Sequence, residues 1–213
     1  MEQRAVRFES DDLTLEGVME IPEGKKPLPG VVLCHPHPIH GGDMSNNVVA
    51  AMAHAISKEG IATLRFNFRG VGQSQGEFSR GAGELGDALA ALIFLSLEEE
   101  VDASRIGIAG YSFGAGIALE ASWDNTLVQA LASIACATPT LNDLSLHQMV
   151  VPKLLICGDM DHVVPGDQFR FLAGRFLEPK EVHLLSGADH FFRGHEPEIA
   201  EKTGSFFRRW LLR

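Results

Sequence analysis

From residue 31 onward the sequence alternates between short apolar runs and longer stretches with helical periodicity. The runs are rich in β-branched residues and leucine, which suits strands covered on both faces. They span residues 31–34, 61–66, 105–109, 130–135, 153–157 and 181–185. Helices are predicted over residues 47–58, 84–97, 112–121, 167–176 and 196–212. Strands that alternate with helices need crossover connections, so we expect an α/β fold with a mostly parallel sheet and helices on both faces.

The N-terminal segment has a different pattern. Short runs at residues 4–8 and 13–19 flank the acidic turn at Asp11 and Asp12, which predicts an antiparallel hairpin at the edge of the sheet. The Gly- and Pro-containing stretch 22–30 then connects this hairpin to the first parallel strand. The 213 residues fit a single domain, 1–213, built as a three-layer sandwich. Only about 15 residues are free between 137 and 151, too few for a large cap domain.

Charge and cysteine content restrict the partners and the compartment. The formal net charge of −10 opposes binding to nucleic acid or to an anionic membrane surface. Cys34, Cys136 and Cys157 each lie in an apolar run, as buried free thiols do. No stretch resembles a signal peptide or a membrane span. We therefore expect a cytoplasmic protein whose partner is a small molecule; the sequence does not indicate an oligomeric state.

Two segments match the pattern Gly-x-Ser-x-Gly, in which a serine on a sharp strand-to-helix turn presents its hydroxyl above a sheet. Residues 110–114 follow a predicted strand and lead directly into a predicted helix, which is the context that the chemistry requires. Residues 72–76 lie in a loop with no helix attached. Ser112 is therefore the predicted nucleophile, with helix initiation as its alternative role, and Ser74 is a chance match.

A serine hydroxyl needs a general base, and a neutral imidazole suits that role near neutral pH. His190 lies in the loop after the last predicted strand, where α/β sheets gather catalytic groups. His183 falls inside that strand and is expected to pack in the core. His54 lies on a predicted helix and His195 near a helix start, so both are expected at the surface or in a cap. His190 is the predicted base.

The base needs a carboxylate that fixes its tautomer and stabilises the imidazolium. Asp159 and Asp161 both follow the predicted strand 153–157. Their spacing does not select between them, and either one is also a common turn residue.

Together these residues resemble the α/β-hydrolase superfamily, in which nucleophile, acid and histidine follow one another along the chain. In compact members the acid lies in the pattern Gly-x-x-Asp-x-x-Val/Ile-Pro, which residues 158–165 match; the resemblance therefore implies that Asp161 is the acid. Residues 66–74 likewise resemble the loop after the family's fourth strand. The small size and the missing cap are similar to lidless hydrolases near the dienelactone hydrolases. Because Ser112 stands where those enzymes carry cysteine, carboxylesterase chemistry is implied.

The same resemblance implies an oxyanion hole made of two backbone amides. Alignment of the loop after residue 34 places one donor at His37, and since Pro36 and Pro38 lack an amide hydrogen, His37 is the only donor between them. The second donor would be the amide of Phe113, at the N-terminal end of a helix. This scheme requires no cofactor and no metal.

Two alternatives compete with the serine hydrolase. His35, His37 and His40 have the spacing of a metallo-hydrolase motif, although Ile39 occupies its acidic position. A metal-dependent hydrolase and a structural histidine cluster are therefore alternative interpretations of this segment. The second alternative is a non-catalytic member that keeps the fold as a binding module. The combined presence of Ser112, Asp161 and His190 favours a serine hydrolase that cleaves small carboxylic esters. Apolar side chains at 141, 144, 146 and 149 are expected to pack, with the lining of an acyl pocket as their alternative role.

Overall fold

The computed structural model describes residues 1–212, which form one eight-stranded sheet and six α-helices. The strands are β1 (Glu2–Ser10), β2 (Leu13–Ile21), β3 (Leu28–Cys34), β4 (Ala62–Phe66), β5 (Val101–Tyr111), β6 (Val128–Ile134), β7 (Lys153–Gly158) and β8 (Lys180–Leu185). The helices are α1 (Asn47–Lys58), α2 (Ala82–Leu97), α3 (Phe113–Ser122), α4 (Thr138–Leu141), α5 (Gly166–Gly174) and α6 (Glu196–Leu211). Across the sheet the strands follow the order β1-β2-β4-β3-β5-β6-β7-β8.

The sheet is parallel except at its N-terminal edge. Strands β1 and β2 form an antiparallel hairpin, and β2 also pairs antiparallel with β4. The pairs from β4–β3 to β7–β8 are all parallel. This arrangement confirms the predicted α/β architecture with an antiparallel hairpin at one edge.

Helices cover both faces of the sheet, as the continuous apolar strands require. On one face, α2, α3 and α5 contribute buried side chains such as Leu92, Ala118 and Phe169 to one core cluster. On the other face, α1 and α6 pack against each other and contribute Met52 and Phe206 to a second cluster. The sheet is thus the middle of three layers.

Several element boundaries differ from the sequence-based prediction. Helix α3 begins at Phe113 and not at Ser112, because Ser112 has a positive φ of 55°, which lies outside the range of a right-handed helix. Helix α4, of only four residues, was not predicted, since it is too short to show a helical period. Strand β5 is six residues longer than predicted, because it begins at Val101, before the polar residues Asp102 and Ser104, and extends to Tyr111.

The connection from β6 to β7 contains α4 and one short 3-10 turn, Leu146–Gln148, and no cap domain within the described chain. Its side chains Leu141, Leu146 and Met149 are buried in the core, as expected. Leu144 does not pack, because it points to solvent with 61% of its surface exposed. The three cysteines are buried and free. Among residues 1–212, none of the helices has the length and apolar character that crossing a membrane requires.

Candidate active site

The carboxyl ends of the parallel strands place the predicted site residues at one edge of the sheet. His35 directly follows β3, and Ser112 directly follows β5. Asp161 lies three residues beyond β7, and His190 lies five residues beyond β8. Because these strands run in the same direction, residues that are far apart in sequence meet above one rim.

Ser112 occupies a sharp turn between β5 and α3. Its backbone lies at φ 55° and ψ −115°, a conformation that a non-glycine residue adopts only under strain. The turn depends on the flanking glycines: a Cβ atom at Gly110 would lie 2.0 Å from the carbonyl oxygen of Gly114. The amide of Ser112 donates to the carbonyl of Ile134 on β6 at 2.8 Å. This turn raises the Ser112 hydroxyl above the rim, where a second residue can reach it.

His190 makes one hydrogen bond through each ring nitrogen. Its Nε2 lies 2.9 Å from the Oγ of Ser112, and its Nδ1 lies 2.7 Å from the Oδ2 of Asp161. Because a carboxylate only accepts hydrogen bonds, Nδ1 carries the proton in the neutral ring, and Nε2 keeps a lone pair for the Ser112 hydroxyl. The structure therefore brings together the three residues predicted as nucleophile, base and acid.

Asp161 is held as a carboxylate in a buried position. Its Oδ1 accepts hydrogen bonds from the amides of Val163 and Val164, both at 2.8 Å. Burial alone raises the pKa of this carboxyl, but hydrogen bonds from His190 and from these two amides outweigh burial and leave the pKa below its usual value. Asp159, the alternative that spacing left open, points away and accepts from the amide of Gly187 at 2.7 Å.

The predicted oxyanion donors lie on two segments that touch each other. The ring of His37 packs against the ring of Phe113, with centroids 5.0 Å apart. Neither backbone amide donates any of the loop, cap or side-chain hydrogen bonds formed within residues 1–212. Phe113 is the first residue of α3, where backbone N–H groups have no partner inside the helix. Two unsatisfied amides therefore lie beside the turn that carries Ser112.

His35 uses both ring nitrogens for the backbone. Its Nδ1 donates to the carbonyl of Pro36 at 2.7 Å, and its Nε2 accepts from the amide of Phe68 at 3.1 Å. Burial lowers the pKa of His35 to about 4, so the ring is neutral near neutral pH. Because both ring nitrogens of His35 are engaged, neither is left to bind a metal ion. Residues 1–212 contain no group of three His, Cys, Asp or Glu side chains placed to hold a metal ion. The structure thus gives no support to the metal-dependent alternative.

The remaining serine and histidine candidates have other surroundings. The Oγ of Ser74 donates to the carbonyl of Asn67 and accepts from the amide of Glu16, so it fastens a loop to β2. His183 was expected in the core but is 35% exposed, because β8 is an edge strand. His54 is exposed on α1, and His195 is the residue before α6.

Two features of this site were missed by sequence reasoning. The ring of Phe78 packs on both His37 and Phe113, at 4.9 and 5.8 Å between centroids, so it forms part of the wall beside the loop that carries His37. The hydroxyl of Tyr111 donates to the backbone carbonyl of His190 at 2.6 Å. The chain offered no signal for Phe78, which lies in a loop, whereas Tyr111 is adjacent to Ser112 inside the Gly-x-Ser-x-Gly motif.

Comparison with known proteins agrees with this fold. Residues 74–212 match the model of a family described as PET hydrolase-like. The uncharacterized Rickettsia prowazekii protein RP471 is 34% identical over 187 residues, which are 84% of this chain and 78% of that protein. The esterase EstD of Thermotoga maritima is 31% identical and aligns with 91% of this chain. The chain spans 48% of the length of EstD and 44% of a relative from Escherichia coli.

Solved structures agree over nearly the whole chain. An α/β serine hydrolase homologue from Coxiella burnetii is 36% identical, has a TM-score of 0.85 and covers 96% of this chain and 97% of its own. A serine hydrolase without a lid from Xanthomonas campestris is 28% identical, has a TM-score of 0.87 and covers 100% of this chain and 96% of its own. These matches confirm the resemblance to lidless α/β hydrolases. The chain belongs to the PET hydrolase-like family of α/β serine hydrolases.

Proposed function

We propose that this hydrolase cleaves small carboxylic esters through an acyl-enzyme intermediate formed on Ser112. The observation that carries the proposal is the continuous hydrogen-bonded series from the Ser112 hydroxyl through the His190 ring to the Asp161 carboxylate, with separations of 2.9 and 2.7 Å. This is the geometry in which a neutral imidazole removes the proton of an attacking serine.

The reaction has two halves. In the first, Ser112 Oγ attacks the ester carbonyl carbon while His190 Nε2 takes the hydroxyl proton, and His190 then returns that proton to the departing alcohol. In the second half, water attacks the acyl carbon, His190 takes a proton from the water, and collapse of the adduct returns the proton to Ser112 and releases the acid. Asp161 keeps the Nδ1 proton in place and stabilises the imidazolium in both halves.

The negative oxygen that forms on the carbonyl carbon is proposed to bind the backbone amides of His37 and Phe113. Both amides lack a hydrogen-bond partner among residues 1–212, and the Phe113 amide lies at the positive end of the α3 dipole. Loss of one such donor costs about 100- to 1000-fold in rate.

The surroundings of the site favour small, apolar, uncharged esters. Four large apolar side chains near the proposed triad and the loop that carries His37 are more than half exposed, namely Ile39, Met160, Val163 and Phe191. The net charge of −10 disfavours anionic substrates. The name of EstD, an esterase, agrees with an ester substrate.

A fluorophosphonate probe combined with a chromogenic acetyl ester tests the proposal. We expect the native protein to turn over the ester and to be labelled on Ser112. Ser112→Ala should lose both, and His190→Ala should label much more slowly. A folded native protein that neither labels nor hydrolyses short-chain esters would contradict the proposal and favour the non-catalytic binding module.

A further inference from the structure

The single tyrosine of the chain lies next to the proposed nucleophile and bonds to the proposed base. Tyr111 is the last residue of β5 and is 3% exposed. Its hydroxyl donates to the backbone carbonyl of His190 at 2.6 Å, a contact between residues 79 positions apart. Its ring lies 5.9 Å from the imidazole of His190 and 6.0 Å, edge on, from Phe192.

From this contact we infer that Tyr111 is a positioning residue, which sets the distance between His190 and Ser112; the inference rests on the proposed serine hydrolase mechanism. Two consecutive residues hold His190 from opposite ends. Ser112 contacts its side chain, and Tyr111 holds its backbone. Because Tyr111 and Ser112 are covalently joined, a shift of the His190 backbone away from the nucleophile must break the Tyr111 hydrogen bond.

The loop that carries His190 needs such a tie. It is irregular from residue 186 to 195, and Asp189 within it caps the amides of Phe191 and Phe192. Those bonds shape the loop internally, and the bond between Met160 and Ala188 fastens its first part to the loop of Asp161. The Tyr111 bond fastens the loop to the nucleophile turn itself. A displacement of about 1 Å between reacting groups can cost 10²-fold in rate, so this bond acts on the chemical step.

The Tyr111 hydroxyl is suited to permanent donation. Burial, together with the negative charges of Asp161 and Asp189, raises the pKa of Tyr111 well above its usual value. The phenol therefore stays protonated over the pH range in which esterases are assayed.

The variant Tyr111→Phe removes only the hydroxyl and keeps the ring against His190 and Phe192. We expect kcat for a chromogenic acetyl ester to fall about tenfold while KM changes less than about twofold, because substrate contacts are retained and only the base is displaced. The rate of fluorophosphonate labelling on Ser112 should fall in parallel with kcat.

Thr203→Val is the matched control. Thr203 is fully buried on α6, and its hydroxyl is shared between the carbonyls of Ile199 at 2.8 Å and Ala200 at 3.1 Å, so the variant also deletes a buried hydroxyl that donates to backbone carbonyls. It should lower Tm to a similar degree and leave kcat and labelling at the native level. If Thr203→Val loses as much kcat as Tyr111→Phe, the effect is general destabilisation and the inference is wrong.

Two further outcomes separate this inference from the proposed function. If the native protein is active and Tyr111→Phe has the same kcat, the positioning role alone is overturned. If the native protein shows neither turnover nor labelling, the proposed function is overturned and the positioning role with it.

A measurement that needs no variant is the alkaline absorbance titration, which reports on Tyr111 alone because the chain has one tyrosine. Phenolate absorbance appearing near pH 10, where a free tyrosine ionises, would show that the Tyr111 phenol is not buried beside Asp161 and Asp189, and would contradict the packing on which the inference rests.

Discussion

A Cβ atom built on Gly114 would lie 2.4 Å from the carbonyl oxygen of Cys34, so the first turn of α3 runs directly against the end of β3. The same Cβ would lie 2.5 Å from the carbonyl oxygen of His35. This close approach brings the amide of Phe113 beside the loop that carries His37. The fourth position after Gly110 must therefore lack a side chain if the two proposed oxyanion donors are to face one substrate.

Gly114→Ala should lower kcat about 100-fold or more, because the clashing atoms belong to the backbone, and either the Ser112 turn or the loop that carries His37 must move. The measurement is turnover of a short-chain chromogenic ester. Gly174→Ala is the control, since Gly174 ends a helix and a Cβ there meets no atom within 4 Å. Native kcat in Gly114→Ala would show that the packing of α3 against β3 does not set the oxyanion geometry.

Substitution of His35 should lower activity, whereas substitution of the His37 side chain should leave it nearly unchanged. The Nδ1–H of His35 bonds to the carbonyl of Pro36, which belongs to the same peptide unit as the amide of His37. His35→Ala frees this peptide and leaves the amide of Phe68 unpaired, so we expect kcat to fall about 10- to 100-fold with little change in KM.

His37→Asn keeps the backbone amide of residue 37. The asparagine side chain also supplies an acceptor for the amide of Ile39, which in the native protein donates to Nδ1 of His37 at 3.2 Å. Activity should therefore stay within a few-fold of the native protein. If the two variants lose equal activity, the imidazole of His37 takes part in the reaction and its amide is not its main contribution.

Ser74→Ala tests the second Gly-x-Ser-x-Gly match. Its hydroxyl bonds to Asn67 and Glu16, at 2.7 and 3.0 Å, and is buried, so its loss should lower the free energy of unfolding by about 1–3 kcal/mol. Fluorophosphonate labelling and kcat should remain native. Urea unfolding and labelling of the same sample check both statements, and lost labelling in folded Ser74→Ala would refute the structural role.

Asp161→Asn should change both activity and the pH dependence of stability. Activity should fall about 10³- to 10⁴-fold, because an amide no longer holds the productive His190 tautomer. The pKa of Asp161 is lower in the folded protein than in the unfolded chain. Between these two pKa values the unfolded state binds more protons than the folded state, so the stability of the protein rises with pH in that range. This contribution is complete above the unfolded pKa and is lost as the pH falls through the folded value.

The stability difference between the native protein and Asp161→Asn should therefore shrink as the pH is lowered below about 4. Urea unfolding at a series of pH values measures it, and taking the difference removes the contributions of other carboxylates. A difference that is independent of pH would mean that the native fold does not stabilise the Asp161 carboxylate.

Removal of metal ions should leave ester hydrolysis unchanged. Both nitrogens of His35 are bonded to the backbone, and Nδ1 of His37 accepts from the amide of Ile39, so the three-histidine arrangement is not preserved as a ligand set. Turnover before and after dialysis against a chelator checks this. Activity lost on chelation and restored by zinc would revive the metal-dependent alternative.

The order of strands and helices, the antiparallel hairpin and the position of Ser112 could be predicted from the sequence because each depends on local pattern. Apolar runs between helical stretches indicate parallel strands, and a strand-to-helix context separates Ser112 from Ser74 without any knowledge of their neighbours. The same local logic failed at α4, which is shorter than two helical turns, and at β8, whose position at the sheet edge leaves His183 partly exposed.

Only the tertiary structure decided the contacts between segments that are distant along the chain. Chain spacing alone did not separate Asp159 from Asp161, but the fold directs one to Gly187 and the other to His190. The bonds of His35 to Phe68 and of Tyr111 to His190 likewise have no local signature. A side chain's partner depends on which strands become neighbours in the sheet, and that order, fixed by packing the whole apolar core at once, is not written in any short stretch of residues.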